Sequence, residues 1–271
     1  MSHLEDTLRL LAKRLYAAER PVLWASGGKD STALLSLCRP WAGKLTVIHA
    51  TNEDGWPGTT DILCQHCTEW GYMPRLMLVK PWLTLEAYVQ QYGWPVDIVP
   101  TALEGGTALA DSCYRTSPIK LASWLHCSYL RGICPLLVAT AEHRADLLMT
   151  GSRLSDGPGN TMFAQDVLPP SPVGWERINP LAAWTTAELW AYIDAHQIAL
   201  PDIYRLKRHA TYEFVDCMSC TWQPEHWQMM REHFPEEYAR RWPQVKPVYE
   251  ALSQALEKGA SACHALLHPT S

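Results

Sequence analysis

The chain has 271 residues, 47% hydrophobic and 19% charged, which excludes a disordered or fibrous protein and suits one large domain or a core domain with an appended piece. The net charge of −5 supplies no global basic surface for nucleic acid, although a local basic face is compatible with it. Nine cysteines without a secretion signal favour free thiols, a metal site or redox chemistry over a disulfide framework, no apolar run is long enough to span a bilayer, and the cytoplasm is the expected location.

Residues 4–19 read as a helix with Leu4, Leu8, Leu11 and Leu15 on one face. An apolar run, Val22 to Ala25, then enters Ser26-Gly27-Gly28-Lys29-Asp30-Ser31-Thr32 and a periodic stretch that ends near Pro40. That pattern predicts buried strand, tight loop and helix. Gly27 and Gly28 permit a sharp turn and close approach of a ligand, and the first turn of the helix offers unpaired N–H groups and a positive dipole end to a phosphate. Ser26, Ser31 and Thr32 add hydroxyls and Lys29 a charge. The loop is not a Walker A motif, because no four-residue spacer precedes a Gly-Lys-Ser/Thr.

Lys44 to Thr51 is a second buried strand, and Asn52 to Gly58 a turn cluster. Thr59 or Thr60 is placed to cap a helix to Trp70, with Gly71 at its C-terminal end. Arg75 to Val79 is a third strand, Thr84 to Tyr92 a helix that stops at Gly93, and residues 94–112 a loop or weakly helical link. A helix over Ser117–Tyr129 continues into an apolar, Pro-containing stretch over 130–140. Asp146 to Thr150 is a short strand leading into a Gly/Pro/Ser-rich loop through Pro172, Thr185 and Glu188 make a capping box for a helix to His196, and the tail is helical but broken at Pro235, Pro243 and Pro247. Alternating strands and helices predict an α/β fold, a three-layer α/β/α sandwich on a mostly parallel sheet with a helical C-terminal extension. Ligands of such sheets sit at the carboxyl ends of the strands, so Gly28 and Asp54 share one crevice. The expected division is a nucleotide-binding domain over residues 1–222 and the extension over 223–271.

Several landmarks recur together. They are the loop Ser26 to Ser31, Asp54-Gly55-Trp56-Pro57, Ser112-Cys113-Tyr-Arg-Thr-Ser-Pro-Ile-Lys120, Thr150-Gly151-Ser-Arg153, Asn179-Pro-Leu-Ala-Ala-Trp-Thr185 and Cys217-Met-Ser-Cys220-Thr. In this order they resemble the phosphoadenosine phosphosulfate (PAPS) reductase family of the ATP-pyrophosphatase (PP-loop), adenine nucleotide α-hydrolase superfamily, DNA-phosphorothioation members of DndC type included, over about residues 20–222. The resemblance implies an adenine nucleotide, ATP or PAPS, bound by Ser26, Gly27, Gly28, Lys29, Asp30, Ser31, Thr32, Asp54, Lys120, Gly151 and Arg153.

A guanidinium at Arg153, in a Gly-flanked loop after a strand, can grip phosphate or sulfate in two-pronged fashion. Arg115 and Lys120 are further anion contacts or solvated surface charges. Asp30 orients the loop or a magnesium ion on the pyrophosphate. Cys217 and Cys220 have the spacing to share one metal, and the resemblance implies Cys113 as a further ligand of a 4Fe–4S cluster. Ser112 departs from the family's paired cysteines, which leaves a three-Cys cluster, a fourth ligand such as Cys134, or a redox dithiol. Cys64 and Cys67 lie on one helix face and, with Cys38, read as core. Cys263-His264 resembles in part the family's mobile catalytic Cys, so the catalytic set is Asp30, Arg153 and Cys263.

The leading expectation is an enzyme of thiol- or cluster-assisted sulfur chemistry, reducing or transferring from a sulfonucleotide with a thioredoxin-like reductant. One alternative is an ATP pyrophosphatase that adenylates DNA or RNA for sulfur insertion with a cysteine desulfurase; another is a nucleotide-sensing regulatory subunit. No membrane partner is expected, and a homodimer is left open.

Overall fold

The computed structural model describes residues 3–95, 121–122, 124–156, 174–208, 217–218 and 224–267. The elements in chain order are α1 (His3–Ala17), β1 (Pro21–Trp24), α2 (Lys29–Leu37), β2 (Thr46–Ala50), α3 (Thr59–Glu69), β3 (Leu76–Val79), α4 (Leu85–Tyr92), β4 (Trp94–Pro95), β5 (Leu121–Ala122) and α5 (Trp124–Ser128). A π-helical stretch Tyr129–Ile133 leads to α6 (Cys134–Glu142), β6 (Leu147–Met149), β7 (Glu176–Ile178), α7 (Thr186–Ala195), α8 (Ile203–Lys207), α9 (Pro224–His233) and α10 (Pro235–Leu267). They form two compact units, Met1–Trp82 with Leu130–Cys217, and Leu83–Tyr129 with Met218–Ser271. Among the described residues no helix is long and apolar enough to cross a membrane.

The first unit is an α/β layer structure on a five-stranded sheet of order β3-β2-β1-β6-β7. All four pairings are parallel, with Val22 opposite Thr46 and Leu148, and Met149 opposite Ile178. Successive side chains alternate between faces. Leu23, Val47, Leu147, Met149 and Ile178 join one buried cluster with α1, α2, α3 and α7. Val22, Ile48 and Leu148 join another with Ala139, Ala145 and Trp175. Both faces of the central strands are therefore covered, as a parallel sheet requires. From β1 the chain turns one way to β2 and β3, while β6 and β7 lie on the other side. The crevice at the carboxyl ends of β1 and β6 is thus the topological switch point.

Several local expectations change. On α1 the buried face runs through Thr7, Leu11 and Leu15, and Leu8 is 40% exposed. Thr7 is recruited because its hydroxyl donates to Pro180 O at 2.9 Å and accepts from Trp184 Nε1 at 2.9 Å. The N-cap of α3 is Gly58 in the left-handed region, without a side-chain cap; Thr59 and Thr60 are the first two helical residues, and the Thr60 hydroxyl is engaged by His49. Gly71 ends α3 as expected, at φ +82°, with Tyr72 N–H donating to Cys67 O and Gly71 N–H to Thr68 O. Strand β7 was not anticipated, because Glu176-Arg177-Ile178 lacks the apolar run that marks Leu147-Leu148-Met149 in β6. The capping box of Thr185 and Glu188 is present, and Cys38 and Cys67 are core.

In the second unit β4 and β5 pair in parallel and α5 starts at Trp124, so the expected helix over 117–129 is replaced at 121–122 by a strand. Helix α10 begins at Pro235, the first helical position, and runs through Pro243 and Pro247 where breaks were expected. Each internal proline forfeits a backbone hydrogen bond. Aromatic rings pack along this stretch: Trp242 lies 5.2 Å from Trp227 of α9, and 5.7 Å from Tyr238 and 6.0 Å from Tyr249 of its own helix.

Within the first unit the end of β6 presses against the start of α2. A Cβ on Gly151 would lie 2.9 Å from Asp30 C and 2.9 Å from Ser31 N, both backbone atoms. Gly151→Ala is expected to destabilise the protein by about 1–3 kcal/mol through overpacking. Gly43→Ala, with nothing within 4 Å of its Cβ, is the control in thermal denaturation, and equal melting temperatures would refute the constraint.

Candidate functional site

The loop after β1 builds itself from its own side chains. Ser31 Oγ donates to Gly28 O at 3.1 Å and accepts from Ser26 N–H at 3.1 Å. Since the single Ser31 proton is spent on Gly28, Ser26 Oγ donates to Ser31 Oγ at 3.0 Å and accepts from Gly28 N–H at 3.2 Å. Gly27 has φ +79°, and a Cβ there would meet Thr59 Cγ2 at 2.6 Å. Both glycine properties are therefore used, the left-handed backbone and the missing side chain.

Charge is arranged around Asp30. Lys29 Nζ donates to Asp30 Oδ2 at 2.8 Å, and Arg153 Nε stands 2.6 Å from Asp30 Oδ1. Both cations are 2% exposed. Arg153 also donates from Nη1 to Thr186 Oγ1 at 3.2 Å. Buried charges survive only in such company. Each Asp30 oxygen faces a protein cation, an arrangement that orients the loop; it offers neither oxygen unshared to a metal ion.

The loop carrying Arg153 is fixed from behind. Thr150 Oγ1 donates to the fully buried Asn179 Oδ1 at 2.5 Å, Thr150 N–H to Ile178 O at 3.2 Å, and Leu154 N–H to Ala182 O at 2.9 Å. The Asn-Pro-Leu block is thus the scaffold of the Thr150–Arg153 segment.

These parts open on a cavity of about 530 Å³ in the first unit. Polar lining comes from Ser26 to Ser31, Thr59, Thr60, Gly151 and Arg177, and apolar lining from Trp24, Ile48, Ala50, Trp56, Ile133 and Leu136. Arg177 was not expected; burial holds its guanidinium below the usual arginine value. Asp54 is 1% exposed, with its N–H donating to Asn52 Oδ1 at 3.0 Å. Cys217 lines the cavity, and its Sγ accepts from Asn52 Nδ2 at 2.8 Å. Asn52 Oδ1 also accepts from buried Arg131, which pairs with Glu53.

Ser26 to Ser31, Gly151 and Cys217 line the one cavity, while Thr32, Arg153 and Asp54, expected at the same crevice, are buried and do not line it. Cys113, Arg115, Lys120 and Cys220 lie outside the described residues, and Cys263 falls on α10, its side chain outside them. Among the described residues no three His, Cys, Asp or Glu side chains gather to hold a metal. Burial drives the Cys38 thiol up and the Cys67 thiol up to about 12, so neither is a ready nucleophile.

The phosphoadenosine phosphosulfate reductase domain family matches residues 20–223. An adenosine 5′-phosphosulfate reductase from Halalkalibacterium halodurans is 29% identical over 149 residues, 54% of this chain and 51% of the relative. The chain spans about half the length of that relative. The phosphate-bound crystal structure of phosphoadenylyl-sulfate reductase from Candida auris superimposes with a TM-score of 0.54 at 17% identity, covering 78% of this chain and 88% of that one. The U34-tRNA thiolase NcsA from Methanococcus maripaludis superimposes at 0.44 and 15% identity, over 92% of this chain and 79% of that one.

Sequence reasoning missed His49, Arg177 and Tyr204. His49 is 3% exposed, its Nδ1 2.7 Å from Ala25 O and its Nε2 3.0 Å from Thr60 Oγ1. A carbonyl only accepts, so Nδ1 carries the proton and Thr60 donates to Nε2. Burial lowers the His49 pKa, against the opposing pull of the Ala25 carbonyl. The folded group therefore resists a proton that the unfolded group accepts near its ordinary value of 6.5. Its contribution to stability is complete above that pH and is lost as pH falls through the folded value. Urea unfolding between pH 7.5 and 5 is expected to show a flatter pH dependence for His49→Gln than for the parent; identical slopes would rule this out.

Proposed function

We propose, for a chain that belongs to the phosphoadenosine phosphosulfate reductase domain family, that the cavity binds an adenine sulfonucleotide and that its sulfur is reduced or transferred by thiol chemistry. The observation that carries the reading is the Ser26–Ser31 loop at the switch point of a parallel sheet, opening on the same cavity as the Cys217 thiol. The phosphate end is assigned to the loop and the first turn of α2, where backbone N–H groups and the helix dipole favour an anion. The apolar wall of Trp24, Ile48 and Leu136 suits the adenosine end. Ser26 and Ser31 shape the loop, Thr32 anchors its helix in the core, and Asp30, Arg153 and Gly151 lock it to the β6 loop. Arg177 meets the distal anion, with Lys120 as a further contact, and Asp54 holds the turn beside it.

In the chemistry proposed, a thiolate attacks the sulfur of the sulfonucleotide. The bond from sulfur to the bridging phosphate oxygen breaks, and the nucleoside phosphate leaves. A second thiol then attacks the sulfur of the first cysteine and displaces sulfite, leaving a disulfide between the two cysteines that an external thioredoxin-like dithiol reduces. Cys217 is the described thiol at the cavity, and Cys113, Cys220 and Cys263 are the candidates for its partner.

Incubation with PAPS or adenosine phosphosulfate and a dithiol is expected to release sulfite, and Ser31→Ala to weaken nucleotide binding tenfold or more by undoing the loop's hydrogen bonds, on the order of 1–2 kcal/mol. Pyrophosphate from ATP dependent on DNA or RNA would replace this reading with nucleic-acid adenylation. Nucleotide binding with neither product would replace it with a sensor.

A further inference from the structure

We infer that Tyr204 is a positioning residue of the phosphate subsite, and that anion binding depends on its hydroxyl. This rests on the reading of the cavity as an adenine-nucleotide site. The residue at the N-cap of α2 is Gly28, extended at φ −78° and ψ 166°, with no side-chain cap. A cap oxygen normally comes from a Ser, Thr, Asp or Asn at that position. Here it comes from the far end of the unit: the Tyr204 hydroxyl accepts from Lys29 N–H, the first in the helix, at 3.1 Å.

The fit between the two is close. A Cβ on Gly28 would stand 2.9 Å from the Tyr204 hydroxyl oxygen. The second glycine of the loop is therefore needed to admit the phenol, as well as to let the loop turn. The phenol itself is held. Tyr204 is 6% exposed, its N–H donates to Pro201 O at 2.9 Å, and its ring meets Trp190 edge-on at 6.1 Å. The Arg208 guanidinium covers Trp190 at 4.7 Å. Such a ring is a wall of the cavity, which it lines, and not a plug that a ligand displaces.

The chemistry of the cap matters for an anion site. An Asp cap would place a negative charge where phosphate must sit, whereas a phenol is neutral near pH 7. Tyr204 thus satisfies the first N–H and fixes the Gly28–Lys29 peptide without repelling the ligand. Asp30 and Ser31, which follow and line the cavity, are held ready for the phosphate. Preorganisation of this kind lowers the cost of binding.

Tyr204→Phe keeps the ring and removes the hydroxyl. By titration calorimetry its affinity for AMP and ATP is expected to fall about fivefold to tenfold, the worth of one hydrogen bond. Adenosine, which carries no phosphate, is expected to bind as it does to the parent. A merely structural loss would weaken adenosine equally. Equal loss for adenosine, unchanged AMP affinity, or tighter AMP binding would each overturn the inference. If Tyr204→Phe does not fold, Gly28→Ala pushes on the hydroxyl from the other side and is expected to give the same selective loss. If the parent binds no adenine nucleotide, the nucleotide reading fails by itself. Inorganic pyrophosphate then becomes the probe, and equal binding by parent and Tyr204→Phe, or none by the parent, overturns the role of the hydroxyl.

Discussion

The Ser26–Ser31 loop is held by a contact that leaves no room for a single carbon atom, between Gly151 at the end of β6 and the Asp30–Ser31 peptide at the start of α2. Everything around the site depends on that closeness. It brings Arg153 within 2.6 Å of the Asp30 carboxylate, on which Lys29 also converges. It requires the β6 loop to be rigid, and the Thr150–Asn179 hydrogen bond and the Leu154–Ala182 backbone bond make it so. A helix start that might have flexed is fixed from two directions.

The same economy governs charge. Two buried cations share one carboxylate, and a burial-depressed histidine stays neutral beside the cavity. The loop serines spend their hydroxyls on each other and on the loop backbone. The loop is therefore already assembled, and on the function proposed above little reorganisation is left for binding.

The strands, the loop and the helix start were legible because each has a strong local pattern. Val22 to Ala25 is apolar on both faces, and only glycine satisfies the turn after it. Family membership was legible for the same reason, since its motifs are short and contiguous. Arg153 was expected to grip a ligand anion and Asp30 to orient the loop or a magnesium ion; their mutual pairing was not expected, because Arg153 meets Asp30 only after β6 is laid beside β1. Tyr204 and His49 left no signal, since a tyrosine on a five-residue helix and a histidine in a strand look like ordinary core residues. Leu8 misled because a leucine repeat marks a helix face only approximately, and Thr7 was drawn inward by Trp184 and Pro180. The prolines of α10 misled because the helix runs on through both and packs Trp242 against Trp227 of α9, a contact that local propensity does not report.

The position of β1 has a consequence for synthesis. Its first neighbour, β2, follows almost at once, but its second, β6, pairs Leu147 with Pro21. Until that distant segment leaves the ribosome, one edge of the central strand stays open to any extended chain nearby. Non-local pairing of this sort also slows folding, since the closure of a long loop precedes its reward. The Ser26–Ser31 loop is translated early and completed late. For that interval the nascent chain carries an unpaired strand edge of the kind that favours aggregation.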